Sequence, residues 1–170
     1  MNSSPKASSP GSSPSGQSVN ERLVSLGIEL PDPFMPIARY AAFRRSGAIV
    51  QLSGQGPVLQ NGDGIFGKIG RELTLEDGVK ASRITALNML AQANAICEGD
   101  LGRIVQWIKI TAYVNCTDDF FDQPAVIDGA SNLLYEVFGD VGLAARAAVG
   151  VNALPMNTPV EIQAEFEVLV

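Results

Sequence analysis

The residues best placed by type to do chemistry lie near the C-terminus. In AARAAVGVNALP, from Ala144 to Pro155, Arg146 stands at the head of a small, apolar run, and Glu161 opens the polar side of the following VEIQAEFEV segment. A guanidinium in a partly dry setting forms bidentate hydrogen bonds and selects planar carboxylates. If NALPMNTP joins two paired strands, Glu161 faces a partner strand that includes Arg146. The pair is then either a structural salt bridge or an anion receptor beside an acid. Glu165 and Glu167, further along the same polar face, read as solvating charges.

The chain contains no histidine. That removes Ser-His-Asp and Cys-His nucleophile pairs, HExxH zinc chemistry and the usual base that titrates near neutrality. Catalysis must rest on carboxylates, Arg, Tyr, hydroxyls, backbone dipoles and water, with no cofactor or metal called for. The spacing Gly62, Gly64, Gly67 in GDGIFGKIG, with Lys68 behind it, imitates a nucleotide-binding motif. That motif must open a helix directly after a strand, and KIGREL intervenes before the helix begins near Thr74. The segment reads as a flexible loop.

Composition narrows the classes further. At 170 residues and 46% hydrophobic, the chain supports one well-buried domain. The formal charge of −6 gives no footprint for a phosphate backbone, so nucleic acid is not an expected partner. Cys97 and Cys116 lack CxxC spacing and suit buried thiols in a reducing, cytoplasmic compartment. No apolar run approaches the ~20 residues that span a bilayer, so the protein reads as soluble.

These residues need elements to position them. Residues 1–18 include 13 that are Ser, Pro or Gly and read as a disordered tail; residues 19–170 read as a single domain. A short helix ends before Pro31. RYAAFRRSGAIVQLSGQGP predicts a hairpin, with a strand to about Arg44, a turn at Ser46-Gly47 and a second strand through Leu52. Thr74 caps a long helix whose apolar face is traced by Ile84, Leu87, Ala91 and Ala95. RIVQWIKITAYVN is nearly continuously apolar, the pattern of a strand buried on both faces. A second helix carries Pro124 in its first turn and the stripe Ile127, Ala130, Leu134, Val137 and Phe138, and stops at Gly139. Two strands follow, the last strictly alternating. The order β-β-α-β-α-β-β gives an α+β fold, one mixed sheet with both helices on a single face. Its second face, too apolar to be wet, is expected to be covered by other copies in a closed homo-oligomer.

SGQGP, NLLYEVFG and above all RAAVGVNALP with VEIQAEFEV resemble the reactive-intermediate deaminase family, the Rid or YjgF-like proteins formerly grouped as L-PSP endoribonucleases. The resemblance runs from about Pro36 to Val170. It implies a chorismate-mutase-like fold and a homotrimer with a central β-barrel and clefts between subunits. It also implies hydrolysis of enamine or imine acids, such as 2-aminoacrylate, to a 2-keto acid and ammonia.

By the same resemblance, Arg146 holds the substrate carboxylate and Glu161 places water or a proton. Tyr40 lines the cleft mouth, and Ser53 and Gly54 form a turn at its floor. Asn132 and Tyr135 reach from the second helix toward a neighbour's cleft, and the Ala148 backbone stands where many members carry a cysteine. Ala147 and Ala148 replace a hydroxyl and a thiol there, which leaves backbone groups and water. An imine is already electrophilic, so anchoring the carboxylate and orienting one water are the main requirements. The alternatives are a small-metabolite binding protein without turnover and a ribonuclease, the latter disfavoured by the acidic charge. A chorismate-mutase rearrangement would want more cations than Arg146 supplies.

Overall fold

The computed structural model describes residues 17–170; the Ser/Pro/Gly-rich stretch lies, but for Gln17 and Ser18, outside the described residues. Helix α1 spans Val19–Ser25 and opens with a reciprocal capping box between Ser18 and Glu21. That arrangement satisfies two otherwise orphaned N–H groups of the first turn. Val19 and Leu23 enter the main core, and Arg22 Nε donates to the Glu136 carbonyl at 3.0 Å.

Strands β1 (Phe43–Ser46) and β2 (Ile49–Gln55) form the expected hairpin. Its turn lies one residue later than the sequence suggested, at Gly47-Ala48. Gly47 has φ 60°, a conformation glycine takes without the Cβ penalty and that the first central position of a type II′ turn requires. Helix α2 (Leu75–Ile96), strand β3 (Ile104–Asn115), helix α3 (Gln123–Phe138), strand β4 (Ala145–Val151) and strand β5 (Val160–Val168) complete the fold. The sheet order is β1-β2-β5-β3-β4, antiparallel except for the parallel pair β3–β4. The chain is therefore α+β with a mixed five-stranded sheet.

Two expectations about packing are corrected. On α2 the buried face is Ala81, Thr85, Met89 and Ala93 with Ser82, Ala86 and Leu90; the expected Ala91 is buried too, whereas Ile84 and Leu87 are half-buried at its flanks and Ala95 is exposed. The reason is a close helix crossing: a Cβ on Gly129 of α3 would overlap the Val79 carbonyl of α2, and Ala130 N donates to Ser82 Oγ at 3.1 Å. Small residues, not the largest ones, mark that contact. The α3 stripe Ile127, Ala130, Leu134, Val137 and Phe138 is buried as expected.

Strand β3 is not buried on both faces. Its register against β5 slips between Ile104 and Gln106 and again between Trp107 and Lys109. Each slip adds a residue to the bulged strand and shifts its alternation. Ile104, Trp107 and Ile110 thus all face the core, and the sequence appears continuously apolar across two bulges. The sheet's other face mixes Gln51, Lys109, Thr111, Gln163 and Glu165 with Ile49, Tyr113 and Val149, so it is less apolar than the sequence suggests.

Candidate functional site

The same physics that kinks β3 builds the site on β2. Between Leu52, paired with Ala164, and Gln55, paired with Ile162, β2 holds one residue more than β5. Ser53 and Gly54 form this bulge, which corrects the expected turn. Ser53 N donates to the Ala42 carbonyl at 2.9 Å and Ser53 Oγ to the Ala41 carbonyl at 2.6 Å, which pins the segment bearing Tyr40 alongside. Beneath the bulge lies Glu161. An ideal Cβ on Gly54 would sit 2.8 Å from Glu161 Cδ and 3.0 Å from Cγ, so the carboxylate occupies space that only glycine leaves open.

Tyr40, Ser53, Gly54 and Glu161 line one cavity of about 490 Å³, whose remaining wall comes from Phe34, Met35, Pro36, Ile37, Val58, Pro155, Met156 and Thr158, among others. Glu161 has no hydrogen-bond or ion-pair partner among the described residues, and burial alone raises its pKa above the ordinary carboxylate value. A carboxyl group in this state keeps its proton to higher pH than a free one, which suits it to exchange a proton with a ligand.

Arg146 is elsewhere. Strand β3 lies between β4 and β5, so the strands bearing Arg146 and Glu161 do not pair, which corrects the hairpin expectation. Arg146 is level with Ile110 of β3 and Glu161 with Tyr113. Two strand spacings separate them by about 10 Å across the sheet. They also point to opposite faces: Arg146 shares the helix side with buried Ile110, while Glu161 alternates with buried Ile162 and faces away. Within one chain the two cannot grip one small ligand.

The actual partners of Arg146 are on α3. Its Nη1 donates to Asp128 Oδ1 at 2.7 Å and Ser131 Oγ at 3.0 Å, which leaves Nε and Nη2 without a partner among the described residues. Asp128, Ser131, Asn132 and Tyr135 lie at helical spacing on one exposed side of α3, and Tyr135 is 48% exposed. Ala148, level with Ala112 on β4, sits two residues beyond Arg146 on the same side of the strand. The eight expected site residues thus divide into two groups: Tyr40, Ser53, Gly54 and Glu161 in the cavity, and Asn132, Tyr135, Arg146 and Ala148 along the opposite edge.

Sequence reasoning missed the residues that hold the cavity wall. Asn88 Nδ2 donates to the Gly56 and Val58 carbonyls at 2.8 and 2.9 Å, and Gln92 Nε2 donates to the Phe34 carbonyl. Both amides are almost wholly buried. Their signal was available, two amides spaced i, i+4 on the packed face of a helix, where buried polar groups must find partners. The glycine-rich loop also proves tied down, because Lys68 Nζ donates to the Cys116 and Asn152 carbonyls at 3.1 and 2.6 Å.

A five-stranded mixed sheet with two long helices on one face and an acid-bearing cavity on the other side defines a small-molecule-binding α+β domain. A family model described as "YjgF/chorismate mutase-like, putative endoribonuclease" matches residues 20–166, and the chain belongs to this YjgF/Rid family. Protein TCP17 of Trypanosoma cruzi is 39% identical over 150 residues, covering 88% of this chain and 93% of that protein. Among solved structures, Atu1372 of Agrobacterium tumefaciens, of unknown function, is 38% identical with a TM-score of 0.82 over 89% of this chain and 92% of that one. A Shewanella oneidensis protein, described in the same endoribonuclease terms as the family, is 31% identical with a TM-score of 0.84 over 89% and 100%. Family membership supports a small-molecule processing role.

Proposed function

We propose that the protein hydrolyses enamine or imine acids to the 2-keto acid and ammonia, at a site shared between copies of the chain. The observation that carries this reading is Glu161, a half-buried carboxylate without a partner among the described residues, at the floor of a cavity large enough for an organic acid. Arg146, Asn132, Tyr135 and Ala148 sit on the far edge of the same chain, so a second copy supplies them to this cavity, and symmetry repeats the arrangement. The family resemblance favours a trimer around a central barrel. The exposed edge strand β4, with Val149 46% exposed, is a surface that such an assembly would cover.

In this site the substrate carboxylate is held by the free nitrogens of the partner copy's guanidinium. The ionised Glu161 accepts a proton from water as the water oxygen bonds to the imine carbon. That proton passes to the nitrogen, the remaining carbinol proton follows it through Glu161, and the C–N bond breaks to release NH3 as the C=O forms. Protonated Glu161 delivers a proton to the β-carbon of an enamine, and the resulting carboxylate takes one from the nitrogen, which converts the enamine to the imine. Tyr40 and Ser53 line the path, and the chain's own groups suffice without histidine.

The second reading, a metabolite-binding protein without turnover, is favoured by one observation: Arg146 is already paired with Asp128, and no thiol or hydroxyl follows it at Ala147 or Ala148. A coupled assay separates them. A pyridoxal-phosphate dehydratase generates 2-aminoacrylate, and keto-acid release is timed with and without the protein. Acceleration supports the deaminase; no acceleration across several enamine acids, with keto-acid binding retained, supports the binding protein. Cys97 and Cys116, both free and buried, fit a reducing cytoplasm.

A further inference from the structure

Glu161 stands between unequal neighbours. In the sheet register it is paired with Tyr113 of β3, and directly opposed residues share a face with Cβ atoms about 4.5–5.5 Å apart. On the other flank is the β2 bulge, where Gly54 presents no side chain. The acid leans to that side, its Cδ and Cγ 2.8 and 3.0 Å from the place of a Gly54 Cβ. The cavity lies there too, lined from β2, β5, the segment bearing Tyr40 and the turn before β5, and from no residue of β3. We propose that Tyr113 is a positioning residue for Glu161: its ring fills the β3 side and keeps the carboxylate at the Gly54 bulge, in the cavity.

The other glutamates of β5 show what is particular about this pairing. Glu165 is level with Lys109 of β3 and Glu167 with Gln106, and Gln106 Nε2 donates to Glu167 Oε2 at 2.8 Å. On the same face Thr111 is level with Gln163. Strand β3 thus sets polar side chains against the polar side chains of β5, until it reaches Glu161 and sets a half-buried aromatic ring there. The Tyr113 hydroxyl takes part in no hydrogen bond among the described residues, so the bulk of the ring is what meets the acid. A lysine or amide in its place would draw the carboxylate toward β3 and hold it ionised. A ring supplies no such charge and keeps water from that flank. The titratable groups that face Glu161 are Tyr113 from β3 and Tyr40 from the segment ahead of β1; burial is the cause of its raised pKa, with no contribution from a charged side chain.

This inference rests on the proposed site, and its test reads the acid before it reads turnover. The Glu161 carboxyl of the full chain is titrated by carbon NMR, with Glu161→Gln identifying its signal. In Tyr113→Thr and Tyr113→Val, short residues that strands favour, the midpoint is expected to fall toward that of an ordinary glutamate. In Tyr113→Phe, which keeps the ring, it stays at the wild-type value. Turnover of 2-aminoacrylate is then compared. The short variants should lose about tenfold in kcat with KM changed less than about threefold, while Tyr113→Phe stays within about twofold of wild type. The acid limb of the pH–rate profile moves to lower pH with the midpoint. A merely structural tyrosine would lower Tm and leave the midpoint of the folded protein in place. An unmoved midpoint in the short variants overturns the proposal, and so does a Tyr113→Phe midpoint shifted as far as theirs, which would assign the effect to the hydroxyl. A shifted midpoint in a protein that hydrolyses none of the enamine acids sinks the deaminase reading and leaves the positioning role standing. Hydrolysis with an unmoved midpoint does the reverse.

Discussion

The Glu161 carboxylate lies against the Cα of Gly54, in the space a side chain at that position would take. A methyl group there forces the acid to swing away from the bulge. The carboxylate is the far end of a flexible side chain, so the fold can adjust by a rotamer change. Gly54→Ala is therefore expected to leave melting temperature and oligomeric state nearly unchanged, while kcat/KM falls at least tenfold because the acid no longer meets water and nitrogen together. Steady-state kinetics beside a thermal melt checks both halves, and full activity in the variant would remove this contact from the mechanism.

Burial raises the Glu161 pKa above its usual value of 4.5, which ties stability to pH with a definite sign. The folded chain holds this proton more tightly than the unfolded chain. The resulting stabilisation is present below the ordinary carboxylate pKa and is lost as pH rises through the raised value. Glu161→Gln keeps the shape and never ionises, so it should match the wild type in stability near pH 4 and exceed it near pH 8. Hydrolysis moves oppositely: the wild type loses activity as pH falls through the raised pKa, and the variant shows neither that limb nor substantial turnover. Denaturant melts at the two pH values, with a pH–rate profile, test the assignment.

Most of the fold was legible because it rests on local periodicity. The Thr74 cap, the α3 stripe and the alternation of β5 each state their structure within a dozen residues. The failures share one cause, a non-local contact that overrides the local pattern. The α2 face was misread because Gly129 brings a second backbone close and rewards small residues over Ile84. Strand β3 was misread because two bulges, invisible in one strand alone, turn Ile104, Trp107 and Ile110 to one side. The separation of Arg146 from Glu161 was hidden for the same reason, since nothing in NALPMNTP says that another strand lies between its ends.

Met156, at φ 55°, offers a test of strain against function. Replacing it with glycine relieves the left-handed penalty, expected to stabilise the chain by about 1 kcal/mol after the greater entropy loss of glycine is counted. For a domain of this size that is a rise in Tm of roughly 2–4 °C. The same change removes the thioether from the cavity wall, so keto-acid affinity should fall as stability rises. A Tm that drops would show that Met156 packing outweighs its backbone strain.

Arg146 and Asp128 form an ion pair that is 27% and 53% exposed, and pairs of this kind contribute about 0–1 kcal/mol. Arg146→Lys should accordingly change stability little. It should lose most keto-acid binding, because the planar fork is replaced by a point charge. Asp128→Asn leaves the guanidinium a hydrogen-bond acceptor and removes the competing anion, so pyruvate affinity should rise. A large stability loss in Arg146→Lys with ligand binding intact would return the pair to a purely structural role.

The division of the site residues between two edges of one chain makes a prediction that no single-chain site shares. If the Glu161 cavity of one copy is completed by Arg146 of the next, neither Glu161→Ala nor Arg146→Ala has a working site alone. In a ring mixed from both variants, wherever an Arg146→Ala copy contributes the cavity and a Glu161→Ala copy contributes the guanidinium, one intact site forms. Random assortment of equal amounts makes about a quarter of the sites intact in a closed heterologous ring. Mixing the unfolded variants and refolding them together should therefore restore about a quarter of wild-type turnover, in an assembly that light scattering gives as three times the 17.9 kDa chain. Both mutations placed on the same chain, refolded with an equal amount of wild type, provide the control: a shared site again leaves about a quarter of the sites intact, whereas a site within one chain would leave about half. Recovery absent from the mixture, while each variant still assembles normally, would place both residues at separate tasks and return the cavity to a single chain.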